Sequence, residues 1–370
     1  MYSVLIAPDS FKGTLTAREV CDIIEKAFSE KIKDAKINKL PAADGGEGLC
    51  ACFSEIADGK FISCAVSGVF GEKMNADYYM LSDDTAVIEM ASCAGLPLAG
   101  DNKDPEKAST FGVGELISDA VSKGAKQILL GLGGSATNDC GIGAAAALGW
   151  KFLNESGNEP EPVGANLGKI RRIIKPEKTI PIPVICACDV DNPLFGKTGA
   201  AYVFAPQKGA DEKAVERLDE GLRNMAKVIK SDLGVDVSAI VGGGAAGGMG
   251  AGAVAFFGAE LKRGIDIILD KSGFNEKAAA ADLVITGEGR LDFQSADGKV
   301  ISGIAMRAKK LGKKVITICG CRGDGAEKIL QLGVEKMYFS CETPKPFDEV
   351  LKTCREDLYA AAVRAAEDIM

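Results

Sequence analysis

Short apolar runs that end in glycine or an acid, alternating with amphipathic helical stretches, recur along this chain and set its fold class. VLIAP at 4–8 leads towards one helical stretch, and QILLGL at 127–132 follows another. DLVITGEG at 282–289 runs into a helical pattern at 299–311, and KKVITICG at 313–320 returns as a strand. These last three pieces read as a compact βαβ unit, whose strands lie parallel with the helix crossing between them. The alternation as a whole predicts an α/β fold with much parallel sheet. Local signals agree. Thr16-Ala-Arg-Glu19 is a capping box ahead of a helix with Val20, Ile23, Ile24, Ala27 and Phe28 on one face. Helices are expected over 109–123, ending at Gly124, and over 211–233, stopping at Gly234. The Pro-rich, charged segment 154–183 reads as loop.

A chain of 370 residues has room for two domains, each with its own core. Its first and last segments both look like open-sheet units. The expected layout is therefore a domain built from both chain ends, 1–75 with 282–370, and an inserted α/β domain over 76–281.

Composition removes several functions. There is no histidine, so Ser-His-Asp and Cys-His pairs and His-based metal sites are excluded, and acid–base chemistry falls to carboxylates, lysines or tyrosines. A net charge of −8 argues against a nucleic-acid partner. No apolar run reaches the roughly 18 residues of a membrane span, and MYSVLIAPD lacks the basic-then-apolar pattern of a secretion signal. The 12 cysteines form no CxxC pair, and several sit in strand-like runs. Reduced, buried thiols and a cytoplasmic location are expected.

What remains concentrates where strands end. Asp9, Asp44, Glu89, Asp189, Asp191, Glu288 and Asp292 all follow strand-like runs. In open α/β sheets ligands bind outside the carboxyl ends of strands, and carboxylates there suit Mg²⁺ coordination and proton abstraction from a hydroxyl. The same residues also cap helices and turns, so no single one is decisive. GLGGSATND at 131–139 sits between a strand and a helix, a setting in which backbone N–H groups bind anions. VGGGAAGGMGAG at 241–252 contains a GxGxxG at Gly242, Gly244 and Gly247, the pattern a dinucleotide-dependent oxidoreductase would use. SAIV before it is a poor strand, however, and a tightly packed or mobile loop is the better reading. Lys12, Lys208 and Lys299 stand beside glycines in turn-like stretches, where a side chain can reach a phosphate. Cations, carboxylates and a base are the parts of phosphoryl transfer, here without a P-loop.

Seven stretches then stand in register: APDSFKGTLTA, PAADGGEG, GLGGSATND, CDVDNPL, FAPQKGA, GGGAAGGMGAG and LVITGEGRLDFQSADGK. Together they resemble the bacterial type I glycerate kinase family, over essentially the whole chain. The resemblance implies ATP-dependent phosphorylation of D-glycerate with Mg²⁺, most often to 2-phosphoglycerate and less often to 3-phosphoglycerate. It also implies a Rossmann-like domain from both chain ends, an inserted second α/β domain and an active site in the cleft between them. A kinase of a related small hydroxy or sugar acid is the alternative. The matching positions are Asp9, Ser10, Lys12, Asp44, Gly45, Glu47, Gly133, Gly134, Ser135, Asn138, Asp139, Asp189, Asp191, Asn192, Lys208, Glu288, Asp292, Gln294, Ser295 and Lys299. Cys140 departs from the family, standing where glycine is frequent.

The roles are read from the residues themselves. Asp189 is the first choice for general base, with Asp191 beside it and Asp191 and Asp292 as Mg²⁺ ligands; Asp44 is a reserve. Lys12 and Lys299 suit glycerate's carboxylate. Gly133, Gly134 and Ser135 are expected to form a phosphate nest, and Gly/Ala 141–147 a closely packed helix. Ser10, Asn138, Asp139, Asn192, Lys208, Glu288, Gln294 and Ser295 are assigned to substrate or phosphate binding. No macromolecular partner is expected beyond the chain itself, as a monomer or homodimer.

Overall fold

The βαβ unit near the C-terminus forms as the pattern predicts. Leu283–Thr286 and Lys314–Arg322 pair in parallel, Leu283 opposite Lys314, and helix Val300–Lys310 connects them. The computed structural model describes residues 2–42, 48–296, 300–343 and 345–369, without the side chain of residue 294. The chain divides into two units: Met1–Asp44 with Ile265–Met370, and Gly45–Gly264.

The terminal unit is a parallel sheet in the order Arg290–Leu291, Lys314–Arg322, Leu283–Thr286, Ser3–Ile6, Lys36–Lys39, with Val334–Cys341 also pairing to Lys314–Arg322. Buried on both faces, Leu283–Thr286 is wholly apolar apart from its threonine, as parallel strands require. Helix Ala17–Lys31 begins at the capping box: Glu19 N–H donates to Thr16 Oγ1 at 3.2 Å, and Thr16 N–H to Glu19 Oε2 at 2.9 Å. Its stripe of Val20, Cys21, Ile24, Ala27 and Phe28 meets Val4, Ile6 and Ile285 from the sheet and Leu358 and Ala362 from helix Phe347–Glu367. Each large apolar side chain buried this way contributes about 1.5–3 kcal/mol.

The inserted unit holds a mixed sheet in the order Glu260–Lys262, Val184–Ala187, Gln127–Gly131, Thr85–Glu89, Lys73–Leu81, Gly59–Ser67. The first four strands are parallel and the last two pairings antiparallel. Helix Glu212–Leu233 starts at Asp211, which accepts from Ala214 N–H at 2.7 Å, and ends at left-handed Gly234.

Two expectations need correction. Boundaries at 75/76 and 281/282 cut through packed structure. The first falls inside Lys73–Leu81, which pairs residue by residue with Gly59–Ser67 in one hairpin. The second leaves 265–281 with the wrong unit, since Arg307 bridges Asp266 at 2.9 Å and Asp270 at 2.5 Å. Segment 154–183 is likewise more than loop. Lys151–Asn154 pairs antiparallel with Ile170–Ile174, and a 3₁₀ turn spans Gly164–Lys169.

Candidate active site

In the inserted unit the parallel register brings carboxyl ends to one edge. Glu89 lies opposite Gly131, Gly131 opposite Ala187, and Ala187 opposite Lys262. The loops leaving this edge carry the sequence-predicted residues. Glu89 itself is a helix cap. It accepts the N–H groups of Gly48, Leu49 and Cys50 at 2.6, 3.1 and 3.3 Å, at the start of Leu49–Ile56, whose own cap residue is glycine.

The loop after Gln127–Gly131 has two sides. Gly133 and Gly134 are half-exposed, and Gly134 is left-handed at φ 71°. Below them the loop is pinned by buried charge. Asp139, fully buried, accepts from Thr110 N–H and Oγ1–H, both at 2.8 Å, Gly141 N–H at 3.0 Å and Gly143 N–H at 3.3 Å. It thereby ties the starts of helices Phe111–Ser122 and Ile142–Ala147 together. Burial pushes its carboxyl pKa up, and these hydrogen bonds oppose the rise. The start of Ile142–Ala147 is therefore satisfied by Asp139 rather than offered to a ligand. What the loop presents is Gly133 and Gly134, with Ser135 buried beside them.

Lys208 is not the surface lysine its turn suggests. It is 2% exposed, and Nζ donates to Ser135 Oγ and Thr137 O, both at 2.7 Å. Burial lowers its pKa to about 7, with Asp139 acting the other way. On the same loop Asn138 is fully buried; its Oδ1 and Nδ2, with Thr137 Oγ1, have no hydrogen-bond partner among the described residues.

The GxGxxG does not follow a strand; 234–241 has no strand residue. It opens helix Ala245–Phe257, which is interrupted by three left-handed residues, Ala246, Gly247 and Gly248. A Cβ at Gly247 would stand 2.1 Å from Thr137 O, and one at Gly252 2.1 Å from Cys140 O. Cys140 N–H donates to Gly247 O at 3.1 Å. These glycines let the helix lie against the 137–140 loop. Asp266 and Asp270, the acids downstream of the GxGxxG that a dinucleotide ribose would need, are held by Arg307. Cys140 adopts φ 55°, which explains why glycine suits this position.

Beyond Val184–Ala187, Asp189 and Asp191 are both exposed. Asp189 Oδ1 accepts from Gly264 N–H at 3.0 Å, and Asn192 Nδ2 donates to Thr198 O at 2.8 Å, fixing that turn.

In the terminal unit, Ser3–Ile6 passes through Ala17–Lys31 to Lys36–Lys39 on one side, while Leu283–Thr286 passes through Val300–Lys310 to Lys314–Arg322 on the other. The sheet order reverses between them, which is where open α/β sheets form their crevice. Pairing continues past the strands: Asp9 N–H donates to Gly287 O at 2.8 Å, bringing Asp9 next to Glu288 in the chain's layout. Asp9 Oδ1 accepts Ser10 N–H at 2.6 Å and Ser10 Oγ–H at 3.3 Å. Lys12 is exposed, and the Gly289 position lies close to its backbone. Asp292 and buried Ser295 form one turn, Asp292 N–H donating to Ser295 Oγ at 3.0 Å, with Arg290 Nε 3.6 Å from Asp292 Oδ2. Asp44 and Lys299 lie outside the described residues, as does the side chain of Gln294.

Thr110 and Thr137 are the site residues that the sequence reading missed. Thr110 meets Asp139 across 29 positions, and no local pattern announces such a contact.

Comparison with known proteins identifies the family. The glycerate kinase family model matches residues 4–370. Glycerate 2-kinase of Escherichia coli K12 is 42% identical over 97% of this chain and 96% of its own length. Glycerate kinase of Halalkalibacterium halodurans is 41% identical over 95% and 94%. A solved crystal structure described as that of a glycerate kinase 2 from Salmonella typhimurium LT2 superposes with a TM-score of 0.89 at 40% identity, covering 100% of this chain and 98% of that one. With the family model, full-length relatives and the fold in agreement, the chain belongs to the glycerate kinase family.

Proposed function

We propose that the protein transfers the γ-phosphoryl group of ATP to the 2-hydroxyl of D-glycerate, giving 2-phosphoglycerate and ADP, with Mg²⁺ accompanying the nucleotide. The observation that carries this reading is the likeness, along 97% of the chain, to a relative named for phosphorylation at position 2.

The residue roles follow from which groups are exposed at the strand ends. Asp189 is the general base: it is exposed just beyond a buried strand, and Gly264 N–H fixes one of its oxygens. The half-exposed Gly133–Gly134 backbone and the Ser135 hydroxyl take a phosphate oxygen. Exposed Lys12, beside Asp9 and Ser10, takes glycerate's carboxylate, with Lys299 as a second cation. Asp139 and Lys208 hold the loop from beneath and do not meet the ligand.

Among the described residues no group of three or more His, Cys, Asp or Glu side chains is placed to hold a metal by itself. That fits Mg²⁺ carried in by nucleotide phosphates, an ion that keeps several waters and takes one or two carboxylates. Asp191 or Asp292 supplies the carboxylate. When bound, the ion neutralises charge on the transferring group.

The test is ADP release by the purified protein with ATP and Mg²⁺, with D-glycerate, with L-glycerate and with neither. ADP that depends on the D-isomer, with phosphorus NMR of the product showing the 2-ester, is the expected result. A 3-ester would overturn the position, and no glycerate-dependent ADP would overturn the substrate. Asp189→Asn is expected to lower kcat by about 10²–10⁴ while the protein stays folded. An unchanged kcat would move the base elsewhere.

A further inference from the structure

We propose that Lys208 is a positioning residue that acts through Ser135, holding that hydroxyl as a hydrogen-bond donor to an anionic oxygen above Gly133 and Gly134. The proposal rests on the reading that this loop receives an anionic ligand.

The argument starts from donor chemistry. When Lys208 is protonated its ammonium can only donate, so in the 2.7 Å contact between Lys208 Nζ and Ser135 Oγ the serine oxygen is the acceptor. Its own proton must then point away from Lys208. Among the described residues no acceptor takes it. A second proton of the ammonium goes to Thr137 O at 2.7 Å, so Lys208 grips the loop at two points, two residues apart. The charge is also bonded to the residue that follows the half-exposed Gly133 and Gly134, where its field favours an anion.

The same loop holds more unspent hydrogen-bonding capacity. Asn138 Nδ2 and Oδ1 and Thr137 Oγ1 are buried without partners. Each such group carries a desolvation cost that no bond among the described residues recovers. A buried ammonium adds a desolvation cost that two neutral acceptors and the field of Asp139 offset only in part. Packing alone would favour an apolar side chain here. A donor held ready at a strand's carboxyl end accounts for retaining the cation.

Two anions fit this chemistry: a nucleotide phosphate and the carboxylate of a hydroxy acid. Steady-state kinetics of the full-length enzyme separates them, with KM for ATP measured at saturating D-glycerate and KM for D-glycerate at saturating ATP. Ser135→Ala and Lys208→Met are each expected to raise one of these constants by about 10- to 100-fold, the worth of a hydrogen bond to a charged group. The other constant should change by no more than about 2-fold. The double variant should be no more than about 3-fold worse than the poorer single, because both remove one interaction.

A rise confined to KM for ATP supports the proposal with phosphate as the anion. A rise confined to KM for D-glycerate supports it with the carboxylate, and overturns the phosphate assignment of the loop. Multiplying losses in the double variant, or a Ser135→Ala enzyme with both constants unchanged, would overturn it. If Lys208→Met does not fold by circular dichroism, the serine carries the test. Ser135→Thr should then keep the wild-type KM while Ser135→Ala loses it, and equal constants for the two would overturn the proposal.

Discussion

Two glycine-rich stretches, 133–134 and 242–252, look alike in sequence and do opposite things in the fold. Gly133 and Gly134 stand half-exposed at the carboxyl end of a parallel strand, with Leu96 N–H donating to Gly134 O at 2.7 Å. In the second stretch Gly247, Gly248, Gly250 and Gly252 are buried, and its backbone presses on 137–140. Thr137 is where the two meet. Its carbonyl accepts from Lys208 below, and it is also the atom a Cβ at Gly247 would strike. Glycine thus marks close approach of backbone to something. Whether that something is ligand or protein depends on neighbours the stretch does not contain.

The largest effect that would sharpen this contrast is expected at Gly247. Valine there must adopt φ near 68° and place Cβ 2.1 Å from Thr137 O. Left-handed strain and overpacking together should cost about 2–6 kcal/mol. Urea unfolding of Gly247→Val measures it, and a loss below about 1 kcal/mol would mean that the packing is not tight.

Gly134→Val is expected to be milder in stability and more specific in function. Its φ of 71° carries strain of about 1–3 kcal/mol. The half-exposed site adds the distinctive effect, a KM for ATP raised about 10-fold or more through loss of one charged-group hydrogen bond. If Gly134→Val were as destabilising as Gly247→Val and left KM unchanged, the two stretches would be the same kind of feature.

Much of this architecture was legible because the signals are local. The Thr16–Glu19 capping box, the Asp211 and Gly234 ends of Glu212–Leu233, and the βαβ unit at 283–322 each lie within one helix or one crossover. The loops that carry the site were legible for the same reason, since glycine and acid end the strands. Sidedness was not. Lys208 and Lys12 look equivalent beside glycine, yet one is buried under a loop 71 positions away and the other is exposed. Asp139 and Asp189 look equivalent too. Asp139 spends its oxygens on two helix starts, whereas Asp189 keeps an exposed carboxylate. Long-range contacts decide both cases. They also decide the domain boundary, which the hairpin of Gly59–Ser67 with Lys73–Leu81 moved out of reach of composition.

The effect smallest over a single pH unit concerns the charge beneath the loop, and its sign can be worked out. In the fold burial lowers the Lys208 pKa from 10.5 to about 7. Below pH 7 folded and unfolded chains both hold the proton, and the fold bears the full cost of a buried cation. Between about pH 7 and 10.5 the folded chain releases it first. The unfolded chain then binds more protons, so this group makes stability rise with pH, by at most about 1.4 kcal/mol per unit. Lys208→Met removes that contribution. Compared with wild type by urea unfolding at a series of pH values, the variant should be relatively most favoured at neutral pH and lose ground as pH rises. Asp139 acts electrostatically on Lys208, so the difference reports the lysine together with the change its loss makes in Asp139. A pH-independent difference would mean that the ammonium keeps its proton throughout. Lys208 would then be a permanent cation beneath Ser135, and the loop above it would hold its donor at every working pH.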